Sequence, residues 1–99
     1  MTESKKYKVL IVDDDEFLLS MYSVKFSKSG LEVVTSTGSA DALNKLNEGF
    51  VPDVMVLDIV MPGMNGFELL EKIRSLKLAP GAIIIFLTNQ GQADDIEHA

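Results

Sequence analysis

The chain contains no cysteine. That excludes disulfides, thiolate metal sites and cysteine nucleophiles, and it agrees with a cytoplasmic location. Basic residues are scarce: 9 Lys and Arg stand against 15 Asp and Glu, for a formal charge of −6. Such a deficit argues against direct contact with nucleic acid and against an anionic membrane surface. Long apolar runs are missing as well. The longest, residues 82–87, is far too short to cross a bilayer, and residues 1–8 are polar, without the apolar core of a signal peptide. No Lys or Arg follows Lys77, and the single histidine, His98, reads as a solvated surface side chain. What is present is 46% apolar and 24% charged residues over 99 positions, the make-up of one small soluble domain.

The apolar residues are organised in short runs. Val9-Leu10-Ile11-Val12, Val33-Val34, Val54-Met55-Val56-Leu57 and Ala82-Ile83-Ile84-Ile85-Phe86-Leu87 recur at similar intervals. Near-continuous runs bounded by turn or acidic residues suit strands covered on both faces. Helical spacing fills the gaps. One segment spans about 16–29, with Phe17, Leu18, Met21, Tyr22 and Phe26 apolar and Gly30 as its stop. A second begins near Ser39, read as an N-cap, and carries Ala42, Leu43 and Leu46. A third begins at Asn65, with Glu68 placed for a capping box and Phe67, Leu70, Ile73 and Leu76 as its apolar stripe. Strands alternating with helices predict right-handed crossovers and a parallel sheet. Residues 92–99 look like a fourth helix opening, with Asp94 and Asp95 in its first turn.

In parallel α/β sheets, ligands bind beyond the carboxyl ends of the strands. The first strand ends in Asp13-Asp14-Asp15-Glu16, the third in Asp58 and the fourth in Thr88-Asn89. Helix capping explains one or two acids after a strand. Four in a row repel one another, and a divalent cation is the competing explanation. Taken singly, Asp58 is an ordinary turn residue and Thr88 an ordinary strand residue. Taken together, carboxylates converging from two strands need a cation or a proton to neutralise them. Mg²⁺ suits such a site, being held by one or two carboxylates, waters and a phosphate. An aspartate there can act as a nucleophile toward phosphorus, and a hydroxyl such as Thr88 can bind a phosphoryl oxygen and draw in its loop.

These stretches carry a family resemblance. Residues 9–15 (VLIVDDD), residues 56–66 (VLDIVMPGMNG, an Asp-x-x-Met-Pro-x-x-x-Gly pattern) and Phe86-Leu87-Thr88 resemble the signature of response-regulator receiver domains of two-component signalling. The resemblance covers essentially the whole chain in order and spacing. It implies an α/β, flavodoxin-like, doubly wound parallel sheet of strand order 2-1-3-4, with the fifth strand and fifth helix of such domains absent from these 99 residues. The expectation is therefore one incomplete receiver over 1–99, ending within the fourth helix. The resemblance further implies that Asp58 is the phosphoacceptor and Thr88 the switch hydroxyl. Asp13, Asp14, Asp58 and the backbone carbonyl of Val60 would hold Mg²⁺.

The implied partner is a sensor histidine kinase or a histidine phosphotransfer protein. The chain lacks a Gly-rich nucleotide loop, so ATP is not expected to be the direct donor. The lysine that ends the fifth strand in the family has no counterpart here. This motivates an alternative, an interaction or assembly module that forms a homodimer or domain swap through an exposed fourth strand. A phosphatase-like enzyme is disfavoured, because such sites place a second acid where Val60 stands.

Overall fold

The computed structural model describes residues 6–87. Within them four strands and three helices alternate: β1 (Lys8–Val12), α1 (Glu16–Lys28), β2 (Glu32–Ser36), α2 (Ser39–Asn47), β3 (Val54–Asp58), α3 (Gly66–Ser75) and β4 (Ile83–Leu87). All pairings are parallel, in the order β2-β1-β3-β4. The sheet is thus the doubly wound arrangement expected from the alternation of strands and helices. β1 lies centrally, with Leu10, Ile11 and Val12 wholly buried.

The two faces of the sheet are covered differently. Leu10, Val12, Met55 and Leu57 point to one side, where Ala42 and Leu46 of α2 and Leu69 and Ile73 of α3 complete the main core. Val9, Ile11 and Val56 point to the other side and meet Leu19 of α1. Alternation along a strand sends neighbours to opposite faces, so a continuous apolar run is what two covered faces require. β4 departs from that expectation: Ile83 and Ile85 are 63% and 47% exposed, while Ile84 and Phe86 pack on the main core.

Local signals decide where the helices start and stop. Asp15 caps α1, its carboxylate accepting from the N–H groups of Phe17 and Leu18. Gly30, at φ +91°, takes the left-handed conformation that turns the chain toward β2. The α3 capping box is complete: Asn65 Oδ1 accepts from the Glu68 N–H, and Glu68 Oε1 accepts from the Asn65 N–H, each at 2.9 Å.

Two local expectations are corrected. The N-cap of α2 is Gly38, without a side-chain cap bond, and Ser39 is the first helical residue. The buried face of α3 runs through Gly66, Leu69 and Ile73, while Phe67 and Leu76 are exposed. A strict spacing of three rotates steadily around a helix of about 3.6 residues per turn, whereas i, i+3, i+7 stays on one side. The suggested fourth helix lies outside the described residues.

Candidate functional site: an acidic pocket at the carboxyl ends of β1 and β3

β1 and β3 are neighbours with Val12 opposite Leu57, so the residues that follow each strand are delivered to the same end of the sheet. Those residues are Asp13 and Asp14 on one side and Asp58 on the other. One carboxylate oxygen from each of the three lies within 4.8 Å of the others. Asp13 and Asp58 are buried, at 4% and 6% exposure, and Asp14 is exposed. Together with Asp15, Leu18, Tyr22, Val60 and Leu87 they line a cavity of about 420 Å³.

Hydrogen bonds hold the buried acids in place. The Asp15 N–H donates to Asp13 Oδ1 at 2.9 Å, and the Val60 N–H donates to Asp58 Oδ1 at 3.3 Å. The Asp13 N–H is itself bonded to the Ser36 carbonyl at 3.1 Å, which ties the end of β1 to the end of β2. Gly66 makes the close approach of α3 to Asp58 feasible. A Cβ there would sit 2.4 Å from the Asp58 carbonyl oxygen, inside any van der Waals contact. The glycine of the Asp-x-x-Met-Pro-x-x-x-Gly stretch is therefore a packing requirement of the strand that carries Asp58.

The electrostatics are uncompensated. Burial raises the Asp58 pKa to about 6 and the nearby charges of Asp13 and Asp14 add to it, against a smaller opposing effect of the Val60 N–H. Asp13 is raised too, first by burial and then by Asp14 and Asp15, with the Asp15 N–H opposing. No basic side chain among the described residues enters the balance of either group. A compact set of hard oxygen donors with this charge deficit has the chemistry that a small divalent cation satisfies.

The sequence had pointed to five positions. The structure brings Asp13, Asp14 and Asp58 into one cluster and puts Val60 on the wall of their cavity. Thr88 lies outside the described residues, as do Asn89 and His98. Leu87, immediately before Thr88, lines the cavity and accepts a hydrogen bond from the Ile59 N–H at 2.9 Å. Sequence reasoning missed Leu18 and Tyr22 as cavity residues. Their i, i+4 spacing on α1 was the available signal, but it was read only as helix amphipathicity.

A family model for the response regulator receiver domain matches residues 9–99. The chain belongs to that family. Among curated receiver-containing proteins, it is 36% identical over 88 residues to the transcriptional regulatory protein CpxR homolog of Haemophilus influenzae, covering 89% of this chain and 37% of that protein. It is 44% identical over 68 residues to the Regulator of RpoS of Escherichia coli K12, covering 69% of this chain and 20% of that protein. The chain thus spans less than two fifths of these relatives.

Solved receivers share the fold. The chemotaxis protein CheY4 of Vibrio cholerae superposes with a TM-score of 0.77 at 28% identity, over 95% of this chain and 80% of that one. The response regulator TrrA of Thermotoga maritima, solved in complex with Mg(2+)-BeF, gives a TM-score of 0.75 at 31% identity, over 90% of this chain and 75% of that one. This receiver has the four-strand order expected of the family, and no helix among its described residues is long and apolar enough to cross a membrane.

Proposed function

We propose that this receiver takes a phosphoryl group on Asp58 from a phosphohistidine of a sensor histidine kinase or of a histidine phosphotransfer protein. The observation that carries the reading is the cluster itself: two buried aspartates and a third exposed one, from adjacent strands, with no cationic side chain among the described residues entering the balance of the buried pair. In the transfer, an Asp58 carboxylate oxygen forms a bond to phosphorus as the P–N bond to the donor imidazole breaks. The imidazole leaves with the electron pair and takes a proton, and an acyl phosphate remains on Asp58. The burial that raises the Asp58 pKa also keeps water from screening this chemistry.

Asp13, Asp14, Asp58 and the Val60 carbonyl are the residues that would hold Mg²⁺. When bound, the ion neutralises the carboxylates and the charge of the phosphoryl oxygens. The Val60 N–H orients the Asp58 carboxylate. Thr88, one residue beyond the cavity-lining Leu87, is the hydroxyl assigned to a phosphoryl oxygen and to the shift that follows. A cytoplasmic location and signalling through a phosphorelay belong to the same reading.

Incubation with Mg²⁺ and acetyl phosphate, followed by intact mass measurement, tests it. One added phosphoryl group in the wild type and none in Asp58→Asn is the expected result. Incorporation that survives the substitution would overturn the assignment of Asp58.

A second reading, a homodimer or domain swap through β4, is favoured by the exposure of Ile83 and Ile85. Light scattering that returned a monomer at high protein concentration would exclude it.

A further inference from the structure

The loop 59–65 carries Val60 past Asp58, and its two ends are fixed by the backbone. The Ile59 N–H donates to the Leu87 carbonyl at 2.9 Å, and the Gly66 N–H donates to the Ile59 carbonyl at 3.0 Å. Met61 is anchored in the main core at 6% exposure. Beyond it, Pro62 and Gly63 are exposed, and Gly63 has φ +76°. What holds this outer part is a hydroxyl from elsewhere. Ser39 Oγ, in the first turn of α2, donates to the Met64 carbonyl at 2.9 Å across 25 positions of sequence. It reaches the loop from outside the two flanking elements, β3 and α3, whose Asp58 and Glu68 side chains accept from the Val60 and Asn65 N–H groups.

α2 is a firm base for such a contact. Lys45 Nζ donates to the Thr35 carbonyl and to Ser36 Oγ at 3.3 Å, which fastens the helix to the end of β2, and within the helix it donates to Asp41 Oδ2 at 2.8 Å. The Ser36 carbonyl in turn accepts from the Asp13 N–H. The helix is thereby tied to both halves of the acidic pocket, to Asp13 through β2 and to the Asp58 loop through Ser39.

We propose that Ser39 is a positioning residue for the acidic pocket. Its hydroxyl fixes the loop 59–65 from α2, so that the Val60 backbone is presented to Asp58 and to the cation that the three aspartates would hold. A serine at an N-cap ordinarily turns its oxygen to the helix's own N–H groups, whereas Ser39 lies one residue inside α2. Here it donates outward, and Gly38 takes the cap position without a side-chain bond. The sequence signal for a cap is thus used for a tertiary contact beside the site. The inference rests on the reading of the acidic pocket as a Mg²⁺ site.

Titration of the full chain with Mg²⁺, followed through backbone amide NMR signals, tests it on the wild type, Ser39→Ala and Ser39→Thr. Loss of one part-buried hydrogen bond predicts a Mg²⁺ affinity about three- to ten-fold weaker in Ser39→Ala. The metal-free Val60 and Asn65 signals should move in that variant while those of β1 stay in place. Ser39→Thr, which keeps the hydroxyl, should restore both. An unchanged affinity in a folded Ser39→Ala variant would overturn the proposal, and so would equal weakening in both variants, since the hydroxyl would then not be the cause. Absence of Mg²⁺ binding by the wild type would instead overturn the metal reading of the pocket, before any substitution is considered.

Discussion

Aspartates stand both in the pocket at the ends of β1 and β3 and on the outer turn of α2, and the two regions treat the charge in opposite ways. Asp41 is about half exposed and sits 2.8 Å from Lys45 one helical turn away. The hydrogen bond from Lys45 lowers its pKa, helped by Ser36. Asp58 is buried beside two more acids and has its pKa raised to about 6. The α2 aspartate is satisfied by the fold and needs nothing from outside. The β3 aspartate is held in a state that the fold alone disfavours. Environment, rather than residue type, therefore separates an acid satisfied within the fold from one left in a charge deficit.

The comparison breaks most visibly at the pocket. Replacing Asp13 and Asp14 together with Asn should abolish the stabilisation expected from Mg²⁺ in the wild type. That stabilisation is about 2.7 kcal/mol when the ion is present at about a hundred times its dissociation constant. The metal-free double variant should be no less stable than the wild type, because repulsion is removed with the charge. Thermal melts with and without Mg²⁺ check both statements, and an undiminished response to Mg²⁺ would place the ion elsewhere.

A smaller effect is expected at Gly66. Gly66→Ala forces a Cβ against the Asp58 carbonyl, and overpacking of this kind costs about 1–3 kcal/mol. Denaturant unfolding should show a lower midpoint with an unchanged slope. The smallest effect belongs to α2. Asp41→Ala removes an exposed ion pair, worth about 0.3–0.5 kcal/mol and screened by salt. It should leave the Mg²⁺ affinity unchanged, which a parallel titration would show.

Much of this was legible before the structure. The β1, β3 and α3 boundaries followed from buried runs and a capping box, since those signals are local. The convergence of Asp13, Asp14 and Asp58 followed from parallel topology, which sends strand ends to one side of the sheet. The role of Ser39 was not legible, because a serine at a helix start looks the same whether its hydroxyl caps the helix or bonds a carbonyl 25 positions away. The buried face of α3 was misjudged because Gly66, with no side chain, adds nothing to an apolar pattern and yet lies close against the end of β3. Tyr22 was read as part of an apolar stripe. Only the packing of α1 on the sheet turns it to the wall of the acidic pocket.

The most direct test of the central claim is the pH dependence of stability in metal-free wild type and Asp58→Asn. A carboxyl whose pKa is raised from 3.8 to about 6 on folding keeps a proton that the unfolded chain releases. Its contribution to stability is fully present below the lower value and is lost as pH rises through the upper one. The wild type should therefore lose stability relative to Asp58→Asn between about pH 4 and about pH 6, by an amount on the order of 1 kcal/mol. Adding Mg²⁺ above that range should recover the loss in the wild type only. Parallel curves for the two proteins, unmoved by Mg²⁺, would contradict the account of the pocket as a charge deficit centred on Asp58.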